Sequence, residues 1–484
     1  MKRMKRLISL SLALALVFST FSVAVFAKKK CGCGNCPLVI VSGFATVPLE
    51  LDGKKVWSPE AKGIIKAVGD SILPLAKYGI TKRADEMMDK VHPEVLNIFK
   101  PVLCDDNGDP IFKTEVKKYP ESIDNYPEFY NGDDVDEQAL SKTAIEKIGG
   151  DHVFFFSYDW RLDTMEHAKE LKKFVNDVKK KTGHDKVTLA GCSMGGTVIL
   201  SYLKLYGSSD LHNFILDNAA FQGTSLVGEL LSLHVEVDSK SFADYIYQFS
   251  KSDFLDKILR NFGVLESLVP VAQRIVADTS KRLGAEVLFP VFANMPGMWS
   301  LVADEEYETA KKIALDEKRN AKLIKKIDEY HYGVQKNAKK LLKNAVKNGV
   351  GVYVLANYNY YGVPITPDRY DNNDILIDTK YASGGATCAL LGETLPKGYK
   401  QKVKDGHDHI SPDRTIDAST CMLPDHTWFI KNMKHLDYPY GSEAAEFMMW
   451  LVMSKKYYSV FTSEKYPQFM EFDYRSGKLS PLKK

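Results

Sequence analysis

The chain has no surplus of either charge: 65 Lys and Arg stand against 62 Asp and Glu in 484 residues. That balance gives no sign of a protein that holds nucleic acid through its phosphates, which takes a concentrated positive face. No nucleic-acid partner is expected. Beyond residue 27 the chain also lacks an apolar run of the roughly 20 residues that a membrane-spanning helix needs. Completed metal motifs are missing too. The acidic run at 368–374 has neither the Gly nor the terminal Glu of an EF-hand loop, so a turn between strands is expected there, with 375–378 as the next strand. His407-Asp408-His409 has no fourth ligand nearby in sequence. No metal or organic cofactor is called for.

The one long apolar run is N-terminal. Lys2, Arg3, Lys5 and Arg6 precede an apolar stretch over 7–26, and Val25-Phe26-Ala27 offers small residues for cleavage. Residues 1–27 therefore read as a signal peptide; its length leaves an uncleaved anchor as the second reading. Export permits disulfides. Three of the seven cysteines, Cys31, Cys33 and Cys36, crowd the start of the mature chain. Their C-x-C-x-x-C spacing suggests a metal site, but no nearby His or fourth Cys completes the set. Cys388 and Cys421 flank the segment that carries Asp408, and a bridge between them is expected.

Lys186-Val187-Thr188-Leu189-Ala190-Gly191-Cys192-Ser193-Met194-Gly195-Gly196 is the stretch that organises the rest. It predicts an apolar strand, a sharp turn and a helix from about 197. Gly191, Ser193 and Gly195 form G-x-S-x-G. A serine at the tip of such a turn lies in strained backbone with its Oγ exposed above the sheet, and bulky neighbours two residues away would collide. The N–H of Met194, opening the helix, would point at an oxyanion. Ser193 is the expected nucleophile.

Further strands are expected at 37–42, 152–157, 214–218 and 352–356, with a helix over 165–181. Ser42-Gly43-Phe44-Ala45 closes the first strand, and Phe44 N–H is the second oxyanion donor, with Ala45 in reserve. Residues 225–348 break the strand–helix alternation with helix-rich, apolar sequence, read as a cap inserted between sheet strands. The domains are then 1–27, a first core part 28–224, the cap 225–348 and a second core part 349–484.

A serine nucleophile needs a base, and the base needs an orienting carboxylate. Asp408, in Gly406-His407-Asp408-His409-Ile410-Ser411-Pro412, is the preferred acid, with Asp405 and Asp413 as competitors. His435, on the loop before a helix at 442–451, is the preferred base, with His426 as the alternative.

Taken together, Ser42-Gly43-Phe44 with Trp57 further on, Tyr158-Asp159-Trp160-Arg161, the elbow, Gly223-Thr224, Met295-Pro296-Gly297-Met298-Trp299, Asp408 and His435 resemble the lecithin:cholesterol acyltransferase-like branch of the α/β-hydrolases. The resemblance implies a mostly parallel sheet flanked by helices with a helical cap, and acyl transfer from lipid esters to water or an alcohol. It implies Ser193, Asp408 and His435 as triad, with Trp160 and Arg161 shaping the acyl or head-group pocket. Ser42 stands where the family usually has Pro. The expected function is an exported serine acyl-hydrolase or O-acyltransferase working on a lipid or other acyl ester at a membrane or micelle surface. The other readings are a surface-binding protein on an inactive hydrolase scaffold, and a serine peptidase.

Overall fold

The computed structural model describes residues 34–57, 84–131, 138–236 and 264–484, with residues 31 and 241 besides. The signal-peptide reading of 1–27 lies outside them, as does Cys33. Among the described residues no helix is long and apolar enough to cross a membrane.

The fully buried apolar tetrad Leu38–Val41 forms β1, at the interior of an eight-stranded sheet. Two short strands, β2 (Leu49–Leu51) and β3 (Lys54–Trp57), follow and join β4 (Glu115–Val116) in a separate small sheet. The chain returns to the main sheet with β5 (Val153–Phe156) at one edge, then crosses to the other side of β1 with β6 (Val187–Cys192). It goes on outward through β7 (Leu211–Asp217) and β8 (Gly351–Tyr358). A side hairpin of β9 (Thr387–Cys388) and β10 (Ile416–Asp417) leads to β11 (Thr427–Lys431), β12 (Phe469–Asp473) and β13 (Lys478–Pro481). Every neighbouring pair in the main sheet is parallel except β12–β13. Strands buried on both faces need apolar side chains throughout rather than in alternation; Val-Phe-Phe-Phe in β5 and Val-Thr-Leu-Ala-Gly-Cys in β6 meet that need.

Parallel strands put their carboxyl ends along one edge, and a crevice opens there where the winding direction reverses. Here the reversal lies between β1 and β6. The loops after β1, β6, β8 and β11 therefore share one edge, and these are the loops that carry Phe44, Ser193, Asp374 and His435.

The helices serve this layout. With α1 (Ala84–Phe99) and α2 (Gln138–Ile148) preceding it, α3 (Thr164–Thr182) starts on Asp163, whose carboxylate accepts the Met165 N–H, and stops at left-handed Gly183. It packs against α4 (Gly195–Tyr206), the helix that leaves the elbow. Between β7 and β8 the described chain is helical: α5 (Ser225–Leu231), α6 (Val264–Leu283), α7 (Asp304–Ala314), α8 (Ala321–Gly333) and α9 (Ala338–Lys347). The last long helix, α10 (Glu443–Val452), is capped by Ser442 and packs on α2.

Two local expectations are corrected. Residues 374–377 form a bend and Asp378 only an isolated bridge to Asn373, so 375–378 is not a strand. Cys388 and Cys421 are both free thiols. Cys388 sits opposite Ile416 in the β9–β10 pair with its Sγ toward the Ala386 carbonyl at 3.8 Å, so the hairpin closes this segment without a bridge. Burial pushes the Cys421 thiol up to about 12.

Candidate active site

Ser193 has φ of +52°, a left-handed conformation costly for a side chain. The backbone around it is locked from three sides. Its N–H donates to the Asp217 carbonyl at 3.1 Å, and its own carbonyl accepts from Ala220 N–H at 3.0 Å and Gly196 N–H at 3.2 Å. The glycines are steric necessities. A Cβ at 195 would lie 2.3 Å from the Val41 carbonyl oxygen, and one at 191 would lie 2.7 Å from Ile199 Cδ1. The turn thus lifts Ser193 out of a sheet too crowded to hold any side chain beside it.

The loop after β1 lies against this serine. A Cβ on Gly43 would come within 3.3 Å of Ser193 Cβ, so the Phe44 main chain passes next to the nucleophile candidate. The Phe44 ring, 38% exposed, stands edge-on to Trp160 at 4.4 Å between centroids. Met194 follows Ser193 at the helix start with φ −57° and ψ −25°.

His435 follows β11. Its Nδ1 lies 2.6 Å from Oδ2 of Asp374, a fully buried carboxylate. Because a carboxylate only accepts, that imidazole nitrogen carries the proton and donates. Oδ1 of the same carboxylate accepts the N–H groups of Leu376 at 3.0 Å and Ile377 at 2.8 Å. Ile375, between Asp374 and these two donors, has φ of +101°, an outlier for a β-branched residue. Strain of that kind persists only where the surroundings over-determine it. Asn357 ties the His435 loop back towards β7: its N–H donates to Asn218 Oδ1 at 2.7 Å and its Nδ2 to the Lys434 carbonyl at 3.1 Å. Below, Tyr438 Oη donates to Asp217 Oδ1 at 2.6 Å. Burial raises the Asp217 carboxyl to about 6 against the bonds from Tyr438 and Asn218.

The carboxylate expected at His435 was Asp408, and the structure corrects it. Asp408 is exposed on the 400–412 loop and, among the described residues, accepts the N–H of Ile410 at 3.1 Å. Its competitors are also engaged elsewhere. Asp405 accepts from His407 N–H and lies 3.0 Å from His409 Nε2. Asp413 holds Lys431 Nζ at 2.9 Å and Tyr358 Oη at 3.0 Å. His426 is buried before β11, at the amino end of the strand and so at the opposite edge from Ser193; its Nδ1 meets the Val352 carbonyl at 3.1 Å.

Arg161 is corrected as well. Its guanidinium is fully buried and grips Asp159 through Nε at 2.9 Å and NH2 at 2.6 Å, Thr114 Oγ1 at 2.7 Å and the Pro101 carbonyl at 3.4 Å. This fork holds the 101–114 segment to the loop after β5. Trp160 is buried against Phe44. The backbone of both residues seats the 295–299 turn: Gly297 N–H donates to the Arg161 carbonyl at 2.9 Å, and a Cβ at 297 would lie 2.0 Å from the Trp160 oxygen. Gly223 and Thr224 hold the same region, with Thr224 N–H donating to the Leu301 carbonyl at 2.8 Å.

A mostly parallel sheet wound outward from β1, an elbow serine at its reversal point and a histidine after a later strand define an α/β-hydrolase. Residues 138–356, less than half of the chain, match the model of the family described as lecithin:cholesterol acyltransferase, so this part of the chain is similar to that family. The match holds the elbow, Tyr158–Arg161 and the 295–299 turn; Phe44, Asp374 and His435 lie outside it. No curated protein matches the chain significantly. Among solved structures it is similar to a chain in the crystal structure of a Tle4–Tli4 complex. That likeness has 11% identity and a TM-score of 0.26, over 67% of this chain and 75% of that one, and it is too distant to bear on function.

Proposed function

We propose that the protein is an exported serine acyl-hydrolase or O-acyltransferase acting on lipid esters, with Ser193, His435 and Asp374 as its triad. The observation that carries the reading is the strained Ser193 on the same sheet edge as a histidine whose Nδ1–H is fixed by a buried carboxylate. In this reading Ser193 Oγ attacks the ester carbonyl while His435 Nε2 takes its proton. Asp374 holds the imidazole in the tautomer that puts the lone pair on Nε2, where it acts as base, and stabilises the imidazolium that forms. The N–H groups of Phe44 and Met194 receive the oxyanion. Collapse breaks the ester C–O bond, the leaving alcohol takes the proton from His435, and an acyl-Ser193 remains. Water or a second alcohol, deprotonated by His435, then releases the acyl group.

The family match supports lipid esters as the substrate class, and the helical insertion between β7 and β8 supports an apolar cover over the site. Work at a membrane or micelle surface follows from that cover. Export rests on the composition of residues 1–27. The test is labelling of the purified chain with a fluorophosphonate, followed by peptide mapping and assays on p-nitrophenyl esters and phospholipids. Label on Ser193, absent from Ser193→Ala, with ester turnover lost in the same variant, is the expected result. An unlabelled, inactive wild type would return the chain to the inactive-scaffold reading.

A further inference from the structure

The cysteine motif ahead of β1 finds in the fold the histidines that it lacks in sequence. The sheet order places β1 between β5 and β6. Leu38, the first residue of β1, pairs with Val153 on one side and Thr188 on the other. His152 immediately precedes Val153, and His184 lies four residues before Thr188. The segment that leads into β1 is therefore flanked by two imidazoles at the amino edge of the sheet. Ligand atoms of Cys31, His152 and His184 all lie within 4.8 Å of one another. The two rings stand edge to face at 5.3 Å.

The local chemistry is that of a metal ligand set. His152 is buried, and its Nδ1 lies 2.9 Å from Asp151 Oδ1. A carboxylate there holds the proton on Nδ1, so Nε2 presents its lone pair towards Cys31 Sγ at 3.5 Å. Carboxylate, histidine and metal in line is the usual outer-shell arrangement of zinc sites. Zinc at about 2.3 Å from sulfur and about 2.0 Å from nitrogen, with tetrahedral angles, spaces those atoms by roughly 3.5 Å. One thiolate with two imidazoles is a borderline-soft set suited to Zn²⁺ over Ca²⁺ or Mg²⁺.

We infer that Cys31, His152 and His184 bind a zinc ion that clamps the segment ahead of β1 to the amino edge of β5, β1 and β6, with a water in the fourth position. The site lies at the end of the sheet opposite Ser193, so it fastens the fold and takes no part in acyl transfer. Asp151 is its positioning residue.

The full chain, produced with zinc in the medium and dialysed, should carry about one zinc by elemental analysis. Replacement by Co²⁺ should give the visible bands of a tetrahedral site and a near-ultraviolet thiolate-to-cobalt band. Cys31→Ser should lose the thiolate band and His184→Ala the metal. Asp151→Asn should weaken binding by about tenfold or more, the loss seen when such outer partners are removed. His409→Ala, which alters the separate Asp405–His409–Asp425 cluster, should keep the zinc. Circular dichroism and ester turnover of each variant, both unchanged, show that the fold is intact. The proposal is overturned if the wild type holds no zinc and gives no cobalt bands, if Cys31 is recovered in a disulfide from that metal-free protein, or if only His409→Ala releases the metal.

Discussion

His435 and Asp374 are joined twice: side chain to side chain at 2.6 Å, and His435 N–H to the Asp374 carbonyl at 2.9 Å. The second bond fixes the loops after β8 and β11 relative to each other before any proton moves. Orientation of the imidazole is thus set by the backbone as well as by the carboxylate. A variant that keeps the carboxylate but loosens the 371–378 bend should lose activity too.

Gly297 gives a packing test. With no Cβ it lets the 295–299 turn sit on the Trp160 carbonyl, where a methyl group would be 2.0 Å away. Gly297→Ala should destabilise the chain by about 2–4 kcal/mol, as backbone-level overpacking does. Urea unfolding of the variant against the wild type measures it. A loss below about 0.5 kcal/mol, the range of neutral surface changes, would show that the turn can move away freely.

Arg161 gives a test of role. If its guanidinium serves the Asp159 and Thr114 contacts alone, Arg161→Lys should lower stability by about 2–3 kcal/mol, because an ammonium cannot reproduce the fork. KM for a lipid ester, measured well below the unfolding temperature, should stay within about twofold. A stable variant with KM raised tenfold, equivalent to about 1.4 kcal/mol of binding, would restore Arg161 to the substrate site.

A buried acid, Glu229, and a half-buried one, Glu306, in the helical insertion predict the pH response of the fold. Burial raises Glu306 to about 8 and Glu229 to about 7, with Glu305 and Asp368 adding to Glu306 and Lys380 opposing it. The folded chain then holds protons that the unfolded chain releases near 4.5. More protons bound in the folded state means that stability falls as pH rises between those values. This contribution is fully present below about 4.5 and is lost on passing through about 8. Glu306→Gln removes the titration and should gain about 1–2 kcal/mol on the wild type at pH 8 while differing little at pH 5. Melting curves at the two pH values decide it; an equal effect at both would mean that Glu306 is charged in the folded state throughout.

The sequence carried much of this structure but not the carboxylate that pairs with His435. The elbow was legible because glycine spacing, an apolar strand and a helix start all encode one steric problem within ten residues. His435 was legible because it follows a strand and precedes a capped helix. Asp374 was not, for a physical reason. Its role depends on which loop folds back over the carboxyl edge of the sheet, and the long stretch from β8 to β11 offers Asp at 368, 371, 374, 378, 405, 408, 413, 417 and 425. Only tertiary packing ranks them. The overlooked signal was position: Asp374 lies in the first loop after the strand next to β11, whereas Asp408 lies beyond the β9–β10 hairpin arm. Arg161 misled in the other direction, since a Tyr-Asp-Trp-Arg string cannot reveal that the Asp two residues earlier neutralises the Arg. The histidines beside Cys31 are separated from it by more than a hundred residues, and only the sheet order brings them back.

The proposed mechanism has Asp374 orient His435. It is tested most directly by kcat on a soluble p-nitrophenyl ester for Asp374→Asn and Asp408→Asn, measured side by side on folded protein. Asp374→Asn should lose about 10³–10⁴ in kcat, the scale set by removal of a triad carboxylate. Asp408→Asn, exposed and away from His435, should stay within about threefold, less than 1 kcal/mol of barrier. A collapse of Asp408→Asn with Asp374→Asn near wild type would contradict the account.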